Sequence, residues 1–239
     1  RLPPKICPQC GSHKIRHFGT GTEKVEAELT RLFPGVKLAR LDVDTTRKKG
    51  AHERILSAFR QGKSQILVGT QMVAKGLDFP NVTLVGVVMA DLTLNLPDFR
   101  AAERTFQLLT QVAGRAGRGR EPGKVLIQSY LPEHYSIQAA ASHDYLGFYR
   151  QELPYRRRQG YPPFSRLVNL TVTGPEAGVT RRVADALAKE LTGDVIGPVA
   201  APFAVLKGEW RYRIMARFAP DQDVPEDWLS ALTTLNYAA

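Results

Sequence analysis

Two arginines and two glycines, each pair set three residues apart, give this chain its densest chemical signal, the segment Gln111-Val-Ala-Gly-Arg-Ala-Gly-Arg118. On a helix, residues three apart project from one face about one turn from each other, so Arg115 and Arg118 can address one polyphosphate together. A guanidinium offers paired hydrogen bonds to phosphate oxygens. Aimed at a transferring phosphoryl group, it stabilises charge as that charge spreads over the equatorial oxygens. Glycine is a poor helix former, so Gly114 and Gly117 inside a helical stretch suggest close backbone approach. A solvated basic helix, tightly packed at its glycines, is the plainer reading of the same residues.

A second signal is Ile6-Cys-Pro-Gln-Cys-Gly-Ser12, in which Cys7 and Cys10 have the knuckle spacing of half a tetrahedral zinc site. His13 and His17 are available to complete it, although histidines near a surface are usually just solvated. The spacing favours a zinc ribbon whose other ligands lie upstream of Arg1, which makes this chain a fragment. These are the only two cysteines, and they stand too close together to brace a fold.

The elements that must position these groups follow from periodicity. Thr20-Gly-Thr-Glu23 reads as a capping box opening a helix with Val25, Leu29, Leu32 and Phe33 on one face, stopped by Pro34-Gly35. Val36 to Leu41 reads as a strand, Lys49 to Arg60 as a helix with Ile55, Leu56 and Phe59 inward, and Gln65 to Val68 as a short buried strand. Val82 to Ala90 is an apolar run, Ala101 to Ala113 a helix, and Val125 to Gln128 another strand. Such alternation predicts βαβ units: a parallel sheet with helices on both faces, whose ligands bind beyond the carboxyl ends of the strands. Glu152 to Phe164, with three prolines and an arginine triplet, reads as an ordered linker. Beyond it, Leu167 to Thr173 and Trp210 to Phe218 read as strands, and Ala177 to Leu191 and Glu226 to Leu235 as helices. The expected division is 1–17 as the end of a zinc-binding module, 18–150 as the α/β lobe, 151–165 as linker and 166–239 as a small α/β domain.

Bulk properties agree with a folded, cation-rich protein. The chain has 239 residues, 43% of them hydrophobic, enough for a core. Its 33 lysines and arginines against 23 acidic residues give a formal charge of +10, which suits a polyanionic partner, nucleic acid first. No apolar run is long enough to span a bilayer, and no signal-peptide core opens the chain, so a cytoplasmic protein without a membrane partner is expected.

The segment Gln-x-x-Gly-Arg-x-Gly-Arg resembles motif VI of superfamily 2 helicases, and Gly69-Thr-Gln-Met-Val-Ala-Lys-Gly-Leu-Asp-Phe-Pro80 resembles their motif V. Together with Gly19 to Glu23, Asp42 to Gly50, Asn95 to Arg104 and Gly160-Tyr-Pro-Pro-Phe-Ser165, the pattern is similar to the primosomal replication-restart helicases. The resemblance implies a RecA-like second lobe. Arg115 and Arg118 become arginine fingers that Gln111 helps to place. Thr70 becomes a phosphate-contacting threonine and Lys75 a DNA contact, Gly76, Asp78 and Gly114 face the nucleotide, and Thr20 and Thr22 face the DNA backbone. Thr70 ending a strand, Asp78 capping a turn and Thr20 capping a helix are the structural alternatives.

The resemblance further implies ATP with Mg²⁺ and Zn²⁺ as cofactors. It implies forked and single-stranded DNA, the single-stranded DNA-binding protein and primosome proteins as partners, and a monomer of a bacterial, nucleoid-associated enzyme moving 3′→5′. No Gly-x-x-x-x-Gly-Lys-Ser/Thr loop and no Walker B pair occurs, so the phosphate-cradling lobe is expected before Arg1, and this chain alone is expected not to hydrolyse ATP. A non-motor module for fork binding and partner loading, and an RNA helicase, are the competing classes. Three features bear on details. Met89 stands where the family usually has an acidic residue, with Asp91 retained. Arg211-Tyr-Arg213 resembles a basic strand that helps receive the acidic tail of single-stranded DNA-binding protein, yet Ile214 and Met215 replace a polar partner; protection of an edge strand is the alternative. Tyr155-Arg-Arg-Arg158 near Tyr161 mixes cations and rings as single-strand binders do, or is a solvated linker.

Overall fold

The computed structural model describes residues 21–46, 50–70, 79, 81–114, 116, 122–226 and 228. They fall into two compact units, one within Arg1–Asn95 and Ala102–Asp144, the other within Leu96–Ala101 and Tyr145–Ala239.

In the first unit, helix α1 (Thr22–Leu32) leads to strand β1 (Leu38–Leu41), helix α2 (Ala51–Arg60) and strand β2 (Ile66–Gly69). The two strands pair in parallel, Leu38 opposite Ile66 and Leu41 opposite Gly69, so α2 is the crossover of a βαβ unit. Its apolar face is the expected one: Leu56 is buried, and Ile55 and Phe59 pack beside it against Leu41, Leu67, Phe79 and Val82. Phe59 meets Phe79 edge-on at 5.0 Å. A second parallel pair joins β3 (Leu84–Val87) to β4 (Lys124–Ile127), Leu84 opposite Lys124. Between them run the single turn α3 (Asp91–Leu94) and helix α4 (Ala101–Ala113), which buries Thr105, Phe106 and Leu109 on one face. Helix α5 (Tyr135–Ala141) closes the unit.

Two expectations need correction here. Helix α1 starts one residue later than a Thr20–Glu23 capping box requires, with Gly21 at the N-cap and no side-chain cap bond. Its apolar stripe is also not a core face: Leu32 and Phe33 are about half exposed, at 53% and 49%. Ion pairs tie this helix to β1 instead, Arg40 lying 3.4 Å from Glu23 and 3.1 Å from Glu26.

The second unit opens with the segment from Leu96 to Ala101 and helix α6 (Tyr145–Gln159), and continues through β5 (Arg166–Gly174), α7 (Ala177–Glu190), β6 (Asp194–Leu206) and β7 (Glu209–Phe218). The sheet is antiparallel in the order β5-β7-β6. Alternation puts Tyr212, Ile214, Ala216 and Phe218 of β7 into a core with Ala184, Leu187, Leu191 and Trp228, leaving Arg211, Arg213, Met215 and Arg217 on the other face. Of the expected final helix, Glu226 and Trp228 are described as helical; the rest lies outside the described residues.

The expected linker is largely helix. Residues up to Gln159 belong to α6 despite Pro154, and Glu152 and Arg156, one turn apart, form a buried ion pair at 2.7 Å. Gly160 then takes φ +59, and the bonds Tyr161 N–H to Arg156 O at 2.8 Å and Gly160 N–H to Arg157 O at 3.2 Å close a Schellman motif. Strand β6 is unanticipated because Pro198 and Pro202 argue against a strand. The sheet accommodates them because β6 lies on its edge, with register breaks between Ile196 and Val199 and between Ala200 and Val205.

Candidate functional site

Ligands of parallel α/β sheets bind beyond the carboxyl ends of strands, and that is where the described polar groups of the first unit gather. Leu41 and Gly69 are register partners, so Asp42 and Thr70 each follow the last residue of a neighbouring strand.

Asp42 is buried and held by both its oxygens. The Thr22 hydroxyl donates to Oδ2 at 2.6 Å, the Thr45 amide donates to Oδ1 at 2.9 Å, and the Thr45 hydroxyl accepts from the Asp42 amide at 2.9 Å. Arg40 Nε lies 3.0 Å from Oδ2, close enough for charge attraction although not aligned as a hydrogen bond. The bonds from Thr22 and Thr45, helped by the Arg40 charge, outweigh burial and hold the Asp42 carboxyl at about 2. Thr22 therefore spends its hydroxyl inside the protein, fixing the start of α1 against the end of β1. Thr70, the residue after β2, is exposed.

At the end of the second strand pair, Asp91 is 1% exposed. Burial pushes its carboxyl up, but the Ser129 hydroxyl at 2.5 Å and the amides of Tyr130 at 2.9 Å and Leu131 at 3.1 Å bring it below the usual carboxylate range. This carboxylate clasps the turn after β4 to the start of α3. Two residues earlier, Met89 has φ +57, a region that asparagine and aspartate tolerate better than methionine. That preference gives a physical reason for a short polar residue at this position.

Gln111 is exposed in the last turn of α4, and the Gly114 amide continues the helix pattern to Thr110 O at 3.1 Å. A Cβ on Gly114 would meet Thr110 O at 3.6 Å and Gln111 O at 3.7 Å, ordinary contacts, so no packing against this chain's own described atoms demands glycine there. Gln111 and Gly114 thus stand at the carboxyl end of the helix that runs toward the arginine segment. Arg115, Arg118, Gly76, Asp78, Lys75, Thr20, Cys7 and Cys10 lie outside the described residues. Among the described residues no group of three or more His, Cys, Asp or Glu side chains is placed to hold a metal ion, and no helix is long and apolar enough to cross a membrane.

In the second unit, the ring-and-cation mixture read from Tyr155 to Tyr161 is a packed cluster. Phe99 stacks on Tyr161 at 5.4 Å, the Arg156 guanidinium lies 5.2 Å from the Phe99 ring, and Arg157 covers Phe164 at 4.6 Å. Arg156 is committed to Glu152 and Phe99, whereas Tyr155 stays 41% exposed. Arg211 and Arg213 share the sheet face turned away from α7, opposite Thr173 and Thr171.

Asp42 enters the motif reading only as the start of the segment Asp42 to Gly50, with no role of its own, and Ser129 does not enter it. Asp42 followed by Thr45 and Thr46 carries a turn signature visible in the sequence. Ser129 has no such signal, because its partner Asp91 lies 38 positions away.

Comparison with known proteins completes the picture. The model of the helicase conserved C-terminal domain matches residues 8–120, and that of the primosomal protein N C-terminal domain matches residues 157–238. The replication restart protein PriA of Bacillus subtilis is 53% identical over 221 residues, 90% of this chain and 28% of that protein. The PriA proteins of Synechocystis and Treponema pallidum are 48% and 42% identical, over 89% and 90% of this chain and 26% and 34% of their own lengths. The chain thus spans about a quarter to a third of the curated relatives it matches. The C-terminal domain of the DEAD-box protein Dbp5 aligns over 51% of this chain and 59% of its own, at 24% identity and a TM-score of 0.33. With both domain models in order along it, this chain belongs to the replication restart protein PriA family, of which it holds the RecA-like second helicase lobe and the C-terminal domain.

Proposed function

We propose that this chain is the second motor lobe and C-terminal domain of an ATP-dependent DNA helicase that recognises abandoned or branched replication forks and restarts replication through primosome assembly. The observation that carries the reading is the helicase-domain match, whose span from residue 8 to 120 includes Thr70, Gln111, Arg115 and Arg118, on a lobe whose parallel strands end beside Thr70. ATP with Mg²⁺, shared with a phosphate-cradling lobe outside this span, supplies the phosphoryl group whose transfer drives strand movement. Arg115 and Arg118 would serve as its arginine fingers, placed by Gln111, and Gly76, Asp78 and Gly114 would contact the nucleotide. Thr70, Lys75 and Thr20 hold the phosphates of one DNA strand, the register that a sequence-independent motor requires. Thr22 acts there indirectly, by fixing the start of α1 through Asp42.

Cys7 and Cys10 are two of the ligands of a structural Zn²⁺ completed from outside this span. The motor moves 3′→5′ as a bacterial, cytoplasmic monomer, and single-stranded DNA-binding protein and primosome proteins are its partners. This chain by itself does not hydrolyse ATP. The test is unwinding of a forked DNA by the full-length protein, with and without ATP. ATP-dependent strand displacement is expected; tight fork binding with no displacement would replace the motor with a non-motor loading module, and a preference for RNA would overturn the DNA assignment.

A further inference from the structure

The rings and arginines around Tyr161 pack on one another, but α6 carries a second set that faces outward. Leu146, Tyr149, Arg150, Leu153 and Arg157 recur at the three- and four-residue spacing that places them on one face of a helix. Tyr145 flanks that face one turn before Tyr149, while Phe148 and Glu152 are buried and mark the inward side. Tyr145, Leu146 and Tyr149 are 60%, 59% and 45% exposed, and Arg150 is exposed beside them. Two rings and a leucine left in water within about two turns mark an interaction surface.

Charge and ring geometry indicate what covers it. Helix α6 holds four arginines and one carboxylate, Glu152, which is committed to Arg156 at 2.7 Å. Arg150, Arg157 and Arg158 are left without an acidic neighbour on their own helix, so its surface attracts a polyanion. Arg150 and Arg157, seven residues apart, stand on one side at about 10 Å along the axis. The Tyr145 and Tyr149 ring centroids lie 6.3 Å apart with their planes tilted by 30°. Rings held one turn apart at similar tilt offer neighbouring π-faces to successive bases, which stack on them whatever the sequence. Bases and phosphates alternate along a single strand as rings and arginines do along this face.

We propose that this face of α6 binds single-stranded nucleic acid, with Tyr145 and Tyr149 stacking bases and Arg150 and Arg157 holding phosphates. The proposal rests on the DNA reading of the motor and adds base stacking to the phosphate contacts assigned to Thr70. From Tyr145 to Arg157 the face runs roughly 18 Å, room for about five nucleotides at stacked spacing.

The test uses the full-length protein and fluorescence anisotropy with a labelled single strand and with the same strand made abasic. Tyr145→Ala/Tyr149→Ala should bind the normal strand on the order of ten-fold more weakly, and Tyr145→Phe/Tyr149→Phe, which keeps both rings, should stay within about two-fold of wild type. On the abasic strand the alanine variant and wild type should bind alike. Arg150→Gln should reduce the slope of log K against log salt by about 0.7, the contribution of one single-strand phosphate. Unchanged affinity in a folded double alanine variant overturns the proposal, as does an equal loss on the abasic strand. If that variant does not fold, the salt slope of Arg150→Gln decides, and an unchanged slope overturns the proposal. Loss of unwinding in the alanine variant with strand affinity intact also overturns it, in favour of a protein contact. Failure of the wild-type protein to bind either strand overturns the DNA reading itself.

Discussion

Replacing Asp42 by asparagine tests the joint that fixes the start of α1 to the end of β1. Asparagine keeps the volume and an acceptor for Thr45, but removes the charge that Thr22, Thr45 and Arg40 stabilise. A carboxyl held at about 2 instead of its ordinary 3.8 corresponds to roughly 2 kcal/mol of stability at pH 7, an upper bound because solvent screens part of the Arg40 attraction. Because the folded value is depressed, this contribution is complete above the unfolded value and is lost as pH falls through the folded one. About half should remain at pH 3 and little below pH 2. Both tryptophans, Trp210 and Trp228, lie in the second unit, so fluorescence does not report this joint. Hydrogen exchange of peptides covering α1 and β1 does, after correction for intrinsic exchange rates. Asp42→Asn should speed exchange there by roughly 30-fold at pH 7, the gap narrowing below pH 4. A gap that is absent at pH 7, or that does not change with pH, would refute the assignment of a charged, hydrogen-bonded Asp42.

Further substitutions probe the second unit, where tryptophan fluorescence in urea is the readout. Arg156→Ala removes the cation that faces the buried Glu152 carboxylate and should cost about 3 kcal/mol, with Glu152→Gln in the same chain recovering part of it; a loss below about 0.5 kcal/mol would contradict the buried pair. Gly197→Ala should cost at least about 2 kcal/mol, because φ is +113 and an added Cβ would sit 2.8 Å from Arg213 O. Gly208→Ala, at φ +87 in open space, should cost about half as much, and equal losses would sink the steric argument.

Much of the first unit can be read from sequence because its signals are local. The stripe Ile55, Leu56 and Phe59 marks α2, and the periodic run from Ala101 to Ala113 marks α4 with its observed limits. The errors arise where tertiary partners override local preference. Pro154 and three consecutive arginines read as linker, yet Glu152 and Arg156 find each other one turn apart and Gly160 supplies the left-handed stop. Pro198 and Pro202 hide β6, which only its edge position permits. Site chemistry follows the same division. The motif carrying Gln111 and Gly114 is compact enough to recognise, whereas the Asp91–Ser129 clasp brings together residues whose separation no short pattern records.

The central claim is that this lobe completes an ATP site with its arginine segment, and the most direct measurement is DNA-stimulated ATP hydrolysis by the full-length protein carrying Arg115→Ala, with Arg115→Lys beside it. A finger that stabilises transferring phosphoryl charge is worth roughly 10³-fold or more in turnover. The alanine variant should lose about that much with DNA affinity retained, and lysine, which lacks the planar fork, should restore little. Turnover within a few-fold of wild type in Arg115→Ala would contradict the claim.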